Sequence, residues 1–309
     1  MEKRRNFESL ALVIALITMF ALYVIAIFTS PVVLYIAYAL TISIVGFGVY
    51  LSIKRKWFTG AIALAVGICF LIPSSLLMFN FKKVESQTVV HACGAMEGHN
   101  YLNCEEGFAH YIEKGHRLIE VDFLYTSDGK IIASHLLEYY GGGYNLNNRP
   151  TYEEALGTKM LGKYHSLTFD KLLDYLELYP DLKIVFDSKE KETLPMVTQM
   201  LEIAAVRGID LKTRFIIQVY SYENYVQLNE LNFEEYWYTN YKSLYSPEQI
   251  KYYFEDKENI STYISSHTFY MIFKMMGFDT SKKVGLHSIS SDSYKNFLTN
   301  RGVTFVYTY

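Results

Sequence analysis

The alternation of strand-like and helix-like segments after residue 82 most constrains the fold of this 309-residue chain. Short runs rich in β-branched and aromatic residues recur between stretches with helical periodicity. The predicted strands are Thr88–Cys93, Leu118–Tyr125, Lys183–Asp187, Phe215–Tyr220, Glu235–Thr239, Thr262–Ser266, Lys283–His287 and Val303–Tyr307. Eight strands joined by helical crossovers over about 220 residues predict an α/β fold, a TIM (β/α)8 barrel with parallel strands.

Helices are predicted between these strands. They lie around residues 104–114, 168–179, 192–207, 222–231, 246–256, 268–277 and 290–301. Segment 138–166 interrupts the alternation, because it contains three consecutive glycines, Gly141–Gly143, and many Tyr and Asn residues. We interpret it as a loop or small insertion over the barrel mouth, where substrate selectivity is commonly set.

Three apolar runs precede the predicted barrel: Leu10–Phe28, Val32–Ile53 and Trp57–Phe79. Each has roughly 20 residues, the length that a helix needs to cross the bilayer core. The first run is too long for a cleavable signal peptide and has no small-residue cleavage site. We therefore predict a three-helix transmembrane region at 1–81 and the barrel at 82–309.

Basic residues set the predicted orientation of these spans. Lys3–Arg5 precede the first span and Lys54–Lys56 follow the second. Both clusters belong on the cytoplasmic side, since cytoplasmic flanks are enriched in Lys and Arg. Lys82 and Lys83 oppose this, with two charges against six. The orientation predicts a multi-pass protein of the cell membrane with a cytoplasmic N-terminus and an extracytoplasmic barrel.

The predicted barrel region is acidic. Residues 82–309 contain 23 Lys and Arg against 30 Asp and Glu, a net charge of −7. A nucleic-acid-binding domain needs a basic surface, so this balance argues against nucleic acid as a partner. The three apolar runs contain no charged residue and offer no polar path, which makes transport the weakest function for the membrane region.

A pair of acidic residues lies inside the second predicted strand. Glu120 and Asp122 are two positions apart, so their side chains point to one face, while Ile119 and Val121 point to the other. Two anions on one buried face repel each other unless a cation lies between them. The spacing therefore predicts a metal site; a solvated edge with alternating charge is the alternative, which the apolar neighbours argue against.

Further polar residues lie at the predicted carboxyl ends of strands, where a barrel of this type carries its active residues. They are His91, Asp187, Lys189, Gln218, His267 and His287. His135 follows the turn Thr126–Lys130, close to the acidic pair in sequence. For His267 and His287 a structural role and a role in substrate binding stay equally open, and Gln218 is a further candidate for substrate binding.

The segment from His91 to His135 resembles the start of a glycerophosphodiester phosphodiesterase domain, within the phospholipase-C-like phosphodiesterase barrels. The family pattern is a His-x-Gly strand end, an Asn, a Glu-x-Asp strand, a Thr-x-Asp-Gly turn and a second His, with a later Glu-x-Lys. This chain supplies His91, Gly94, Asn103, Phe108, Gly115, Glu120, Asp122, Thr126, Asp128, Gly129, His135, Asp187 and Lys189. The likeness runs from about Val89 to the C-terminus.

The chain departs from the family pattern at four places. The usual His-Arg-Gly becomes His91–Gly94 with Ala and Cys between, so the common arginine is missing. Leu102 stands where a Glu often precedes the Asn, and Leu136 follows the second His in place of Asp. Asp187 replaces a Glu and has a shorter reach. These changes leave the core set in place and bear on substrate preference and catalytic rate.

The resemblance implies a hydrolase acting on phosphoric diesters with one bound divalent cation. Glu120, Asp122 and Asp187 are expected to hold Ca²⁺ or Mg²⁺, since both ions prefer carboxylate oxygens. Lys189 is expected to stabilise negative charge that develops on the phosphate.

Two histidines are expected to transfer the protons. His91 and His135 would act as general base and general acid, and the sequence does not assign the roles. The nucleophile is either water or a neighbouring hydroxyl of the substrate. Expected substrates are glycerophosphodiesters, either lipid head groups or lipid-linked and cell-surface glycerophosphate polymers.

Two other functions stay open at this point. One is a catalytically silent, membrane-anchored module that binds glycerophosphate or lipid, which the altered neighbours of both histidines favour. The other is a metal-independent lipase of the same barrel type that makes a cyclic phosphate from an inositol lipid, which three clustered carboxylates argue against. The oligomeric state is not determined by the sequence.

Two cysteines flank the loop after His91. Cys93 and Cys104 would lie outside the cytoplasm, where a disulfide is permitted and would make the loop more rigid. A free pair of small buried residues is equally compatible with the sequence.

Overall fold

The computed structural model describes residues 41–46, 50, 85–243, 245–266, 269–270, 273, 278–287, 289, 295, 298–299 and 302–309. The chain divides into two compact units, and one of them contains every strand that the structure describes: Ser86–Ser265, Thr280–Ser290 and Val303–Tyr309. In the other unit, residues 41–46 are helical, as are the few described residues of the predicted helices around 268–277 and 290–301.

The predicted membrane spans fall almost wholly outside the described residues. Leu10–Phe28 and Trp57–Phe79 lie entirely outside them, and Val32–Ile53 is described only at 41–46 and 50. Within the part of the chain that is described, no helix combines the length and the hydrophobicity needed to cross a bilayer. The spans, their orientation and the boundary near residue 81 therefore stay predictions.

Eight parallel strands close into a barrel, which confirms the predicted fold class. They are β1 Gln87–Val90, β2 Leu118–Tyr125, β4 Lys183–Ser188, β5 Phe215–Val219, β6 Glu235–Thr239, β7 Ile260–Ser265, β8 Lys283–Leu286 and β9 Phe305–Thr308. Each strand pairs with the next, and β1 pairs with both β2 and β9, which closes the sheet. The sequence did not predict β3, Ile131–Ala133, which pairs antiparallel with the carboxyl end of β2.

Helices follow the strands as the alternation predicts. They are α1 Glu105–Glu113, α2 Tyr152–Gly157, α3 Phe169–Leu178, α4 Leu194–Val206, α5 Leu211–Arg214, α6 Tyr222–Asn229 and α7 Pro247–Phe254. The 3₁₀ turns are η1 His91–Cys93, η2 Leu137–Tyr140 and η3 Asn240–Lys242. Hydroxyl caps begin four of the described helices: Thr151, Thr168, Ser221 and Ser246 each accept a backbone N–H three residues further on.

Side chains alternate along the barrel strands between the interior and the surrounding layer. An apolar interior cluster contains Val89, Leu118, Val185, Ile216, Trp237, Ile264, Phe305 and Tyr307. Residues two positions apart on a strand share a face, so Glu120, Asp187 and Gln218 follow three of these residues into the same interior. The register thus brings polar groups together at the carboxyl ends of β2, β4 and β5.

Segment 138–166 packs as a small folded insertion, one of the two forms that the sequence predicted. Its buried side chains form a cluster with the outer face of the β2–β3 hairpin: Leu102, Cys104, Leu124, Ile132, Leu137, Tyr140, Ala155, Met160 and Tyr164. Arg149 fixes the segment to the strand ends, since Nη1 donates to the Tyr125 carbonyl at 3.0 Å and Nη2 donates to Glu190 Oε2 at 3.1 Å.

Candidate active site

The turn after β1 presents His91 and a backbone N–H to the barrel interior. Ala92 has a left-handed φ of 50°, and its N–H donates to Glu120 Oε2 at 2.6 Å. The turn closes at Gly94, whose N–H donates to the His91 carbonyl at 2.8 Å. Gly94 has a φ of +86°, and a Cβ there would lie 1.9 Å from the Tyr111 ring. Only glycine fits this position, which explains the glycine of the sequence motif.

Three carboxylates meet at the carboxyl ends of β2 and β4. Asp122 and Asp187 are direct partners in the parallel register of the two strands, and Glu120 lies two residues before Asp122 on the same face. All three side chains are buried, and one oxygen of each lies within 4.8 Å of the others. Such a set of hard oxygen ligands suits Ca²⁺ or Mg²⁺.

The carboxylate cluster carries more negative charge than the protein neutralises. Burial, and then the charges of Asp122 and Asp187, raise the pKa of Glu120 well above its usual value. Lys189 Nζ lies 2.7 Å from Asp122 Oδ1 and 2.7 Å from Asp187 Oδ2. Burial alone would raise the pKa of Asp122, but Lys189, His135 and His91 together outweigh it and hold this pKa below its ordinary range. One lysine against three carboxylates leaves two negative charges, so a divalent cation fits the site.

Two polar side chains hold these carboxylates in place. Asn103 Nδ2 donates to Asp122 Oδ2 at 2.8 Å, and its Oδ1 accepts the Asp122 backbone N–H at 3.0 Å. The Tyr220 hydroxyl donates to Asp187 Oδ1 at 2.6 Å. Groups of this kind orient metal ligands. Asn103 was matched to the family motif from the sequence, but no role was assigned to it. Tyr220 was not predicted as a site residue, although its position just after β5 could have indicated it.

The second histidine reaches the site through the β2–β3 hairpin. The hairpin turn is closed by the Thr126 N–H, which donates to the Lys130 carbonyl at 2.8 Å. Because β3 runs antiparallel to β2, its end returns to the acidic pair, where the Ser134 N–H donates to the Asp122 carbonyl at 2.9 Å. His135 follows two residues after the end of β3, close enough to Asp122 and Asp187 for their charges to act on its imidazole.

An aromatic ring lies between the two histidines. The Tyr101 ring centroid is 5.2 Å from that of His91 and 4.6 Å from that of His135. His91 also stacks on Tyr309 at 4.8 Å. Burial lowers the pKa of His91 to about 4, and burial also lowers the pKa of His135. Both imidazoles are therefore neutral near pH 7 and able to accept a proton.

The predicted substrate-binding residues have different surroundings. Gln218 is buried at the end of β5, where its Oε1 accepts a hydrogen bond from Thr239 Oγ1 at 2.9 Å. His287 stacks on Tyr307 at 4.2 Å and lies 5.2 Å from the His91 ring. Burial, followed by the charge of His91, lowers the pKa of His287 well below its usual value. His267 lies outside the described residues.

The two cysteines are buried and free. The Cys93 thiol donates to Asn103 Oδ1 at 3.7 Å, and Cys104 Sγ accepts the Gly107 N–H at 3.3 Å as the cap of α1. The structure therefore has the free pair rather than the disulfide that the sequence also allowed. Burial raises the pKa of the Cys93 thiol well above its usual value, which keeps it protonated.

Solved structures of glycerophosphodiester phosphodiesterases share the fold of this chain. A phosphodiesterase from Oleispira antarctica, in complex with the product sn-glycerol-3-phosphate, is 15% identical with a TM-score of 0.56 over 72% of this chain and 93% of that chain. An enzyme from Parabacteroides distasonis is 14% identical with a TM-score of 0.55, over 74% and 94%. One from Thermotoga maritima is 17% identical with a TM-score of 0.52, over 74% and 96%.

Sequence comparison alone adds no relative. No protein-family model matches the chain, and no curated protein matches it. The likeness to the three solved structures establishes the fold.

Proposed function

We propose that this chain is a divalent-metal-dependent phosphodiesterase that hydrolyses glycerophosphodiesters. The observation that carries the proposal is the buried cluster of Glu120, Asp122 and Asp187, whose oxygens lie within 4.8 Å of one another. The cluster lies at the same barrel end as His91 and His135. Two glycerophosphodiester phosphodiesterases with the same fold, and a phosphodiesterase of this fold that holds the product sn-glycerol-3-phosphate, support this choice of substrate.

The charged residues of the site would bind the phosphodiester and stabilise its transition state. The three carboxylates would hold the Ca²⁺ or Mg²⁺ ion, which supplies a Lewis acid for a phosphate oxygen. The Lys189 ammonium, fixed between Asp122 and Asp187, keeps a positive charge beside the phosphate. Because this charge is already in position, its attraction to the phosphate strengthens as negative charge develops.

The histidines would move the protons of the reaction. A neutral imidazole accepts the proton of the attacking hydroxyl, and the other histidine, once protonated, donates to the leaving alkoxide oxygen. Both histidines have pKa values below the ordinary value, and burial is the main cause in each. A phosphate bound beside them would raise both values, because an anion stabilises imidazolium.

The first test is turnover by the full-length protein in detergent on a panel of glycerophosphodiesters. We expect product with Ca²⁺ or Mg²⁺, none with chelator, and a loss of about 100-fold or more in His91→Ala and His135→Ala. His99→Ala, at an exposed histidine of the same loop region, is the matched control. Turnover that persists in chelator would overturn the metal-dependent mechanism. A folded protein that binds Ca²⁺ and glycerophosphate without turnover would favour the binding module.

A substrate with a good leaving group would assign the histidines. Bis(p-nitrophenyl) phosphate releases p-nitrophenolate without needing a proton, so loss of the general acid should be rescued on this substrate. Loss of the general base should not be rescued. Phosphorus NMR of the glycerophosphodiester reaction would show a transient cyclic phosphate if the nucleophile is a substrate hydroxyl, and none if it is water.

We further propose that residues 1–81 anchor the barrel on the extracytoplasmic face of the cell membrane. Support comes from the three apolar runs and from the basic clusters Lys3–Arg5 and Lys54–Lys56. This location favours lipid head groups or lipid-linked and cell-surface glycerophosphate polymers as substrates. Protease added to intact cells should remove the barrel and spare an N-terminal epitope. Digestion only after lysis would contradict the orientation.

A further inference from the structure

A second lysine lies beside the proposed active site. Lys242 is on η3, directly after β6, and its side chain is exposed. Its Nζ lies 3.9 Å from the centroid of the Tyr220 ring, and the hydroxyl of that ring donates to Asp187 Oδ1 at 2.6 Å. The ammonium therefore lies over the face of a ring whose hydroxyl binds a carboxylate of the proposed metal cluster.

The charges of the site leave Lys242 available for a ligand. Lys189 is in contact with both Asp122 and Asp187. By contrast, no carboxylate of the described residues pairs with Lys242, and its ammonium lies over the face of Tyr220. With Lys189 and a divalent cation balancing the three carboxylates, the charge of Lys242 is the excess positive charge at this side of the site.

The ammonium also belongs to the same electrostatic environment as the cluster. Although much of the side chain is exposed, burial of its charged end lowers the pKa of Lys242, and the charge of Asp187 opposes this shift. Cation–π contact with Tyr220 stabilises the ammonium in this position. Tyr220 is itself held by its hydrogen bond to Asp187, so Lys242 has a defined position beside the proposed metal site.

We infer that Lys242 binds a second phosphate of the substrate, on the unit next to the one that is cleaved. This inference rests on the proposed function, because it places the scissile phosphate at the carboxylate cluster. Lys189 contacts the carboxylates directly, whereas Lys242 lies over the Tyr220 ring beside them, where a ligand group next to the scissile phosphate can meet it. The preferred substrate is then a glycerophosphodiester with two phosphates, either a two-phosphate lipid head group or a glycerophosphate polymer.

Binding without turnover is the first test, and it uses the full-length protein in detergent with Ca²⁺. Calorimetry compares glycerol 1,3-bisphosphate with sn-glycerol-3-phosphate as probes. We expect the bisphosphate to bind at least about 10-fold more tightly, as one charge-assisted contact allows. Lys242→Gln should remove this preference and Lys242→Arg should keep it. Lys251→Gln, at an exposed lysine on α7, is the matched control.

Turnover is the second test. Substrates are glycerophosphoglycerol with one phosphate, bis(glycerophospho)glycerol with two, and a short poly(glycerophosphate). In Lys242→Gln we expect kcat/KM for the two-phosphate substrates to fall about 10-fold relative to the one-phosphate substrate, mainly through KM. Lys242→Glu should reverse the preference. The two-phosphate substrate whose kcat/KM falls more in Lys242→Gln shows whether the second phosphate comes from a lipid head group or from a glycerophosphate polymer.

The outcomes separate this inference from the proposed function. An equal loss on all substrates in Lys242→Gln would overturn the inference, since the lysine would then serve the scissile phosphate or the fold. Equal binding of the two probes by the unmodified protein would overturn it as well. If the protein turns nothing over but the bisphosphate preference depends on Lys242, the proposed function fails and the second phosphate site stands.

Discussion

Replacing Asn103 by alanine would measure how strongly one amide fixes a proposed metal ligand. Asn103 is fully buried, donates to Asp122 Oδ2 and accepts the Asp122 backbone N–H. Alanine would leave a buried carboxylate oxygen and a buried N–H without these partners. The residue also has a φ of 50°, a left-handed conformation that asparagine tolerates better than alanine does.

The expected loss of stability follows from these contacts. Each buried polar group left unsatisfied costs about 1–3 kcal/mol, and a left-handed alanine costs about 1–2 kcal/mol. With two groups left unsatisfied, we therefore expect the free energy of unfolding to fall by about 3–8 kcal/mol in Asn103→Ala. Since an oriented ligand binds metal better, Ca²⁺ affinity should fall about 10–100-fold.

A control in the same chain isolates the hydrogen bonds from the backbone strain. Asn232 is exposed, has a φ of 57° and makes only an exposed hydrogen bond to the Glu230 carbonyl, so Asn232→Ala should lose mainly the conformational contribution of about 1–2 kcal/mol. Urea unfolding followed by circular dichroism, without divalent metal, gives both free energies, and calorimetry gives the Ca²⁺ affinity. If Asn103→Ala is no less stable than Asn232→Ala, or if it binds Ca²⁺ with unchanged affinity, the reasoning is refuted.

Three further predictions follow from the same site. Tyr220→Phe removes a charge-assisted hydrogen bond to Asp187 and should lower the free energy of unfolding by about 1.5–3 kcal/mol; a loss below 0.5 kcal/mol in urea unfolding would contradict an ordered contact. Glu120→Gln keeps an acceptor for the Ala92 N–H but removes a repelling charge, so the metal-free protein should have a higher melting temperature. In the same variant, the stabilisation by Ca²⁺, roughly 2.7 kcal/mol at 100 times Kd, should disappear. Scanning calorimetry with and without Ca²⁺ would show this; persistent Ca²⁺ stabilisation would exclude Glu120 as a ligand. The pKa of His91 is lowered from 6.5 to about 4 by folding. As the pH falls, the unfolded state therefore binds the proton before the folded state does. The stability that neutral His91 contributes is fully present above pH 6.5 and is lost as the pH falls through 4. Between pH 7 and pH 4, the free energy of unfolding of His91→Gln, measured by urea unfolding, should fall by about 3 kcal/mol less than that of the unmodified protein. An equal fall in both proteins would show that a group other than His91 takes up the proton.

The sequence determined those features of the site that depend on local chain geometry. Glu120 and Asp122 share a face because alternation is a property of any strand, and the register confirms that both point into the barrel with Leu118. The periodic alternation of strands and helices likewise predicted the eight-stranded barrel. By contrast, β3 escaped prediction because three residues are too few to show a period.

Only the tertiary structure decided which distant residues meet. Asp187 lies opposite Asp122 because β4 pairs with β2 in one register, and a shift by one residue would have turned it away from the interior. Tyr101, Tyr220 and Lys242 reach the site from three separate connections. Among 28 tyrosines, nothing local marks Tyr101 and Tyr220 as neighbours of the proposed site. Their roles arise from closure of the barrel, because closure brings strand ends far apart in the sequence to one rim.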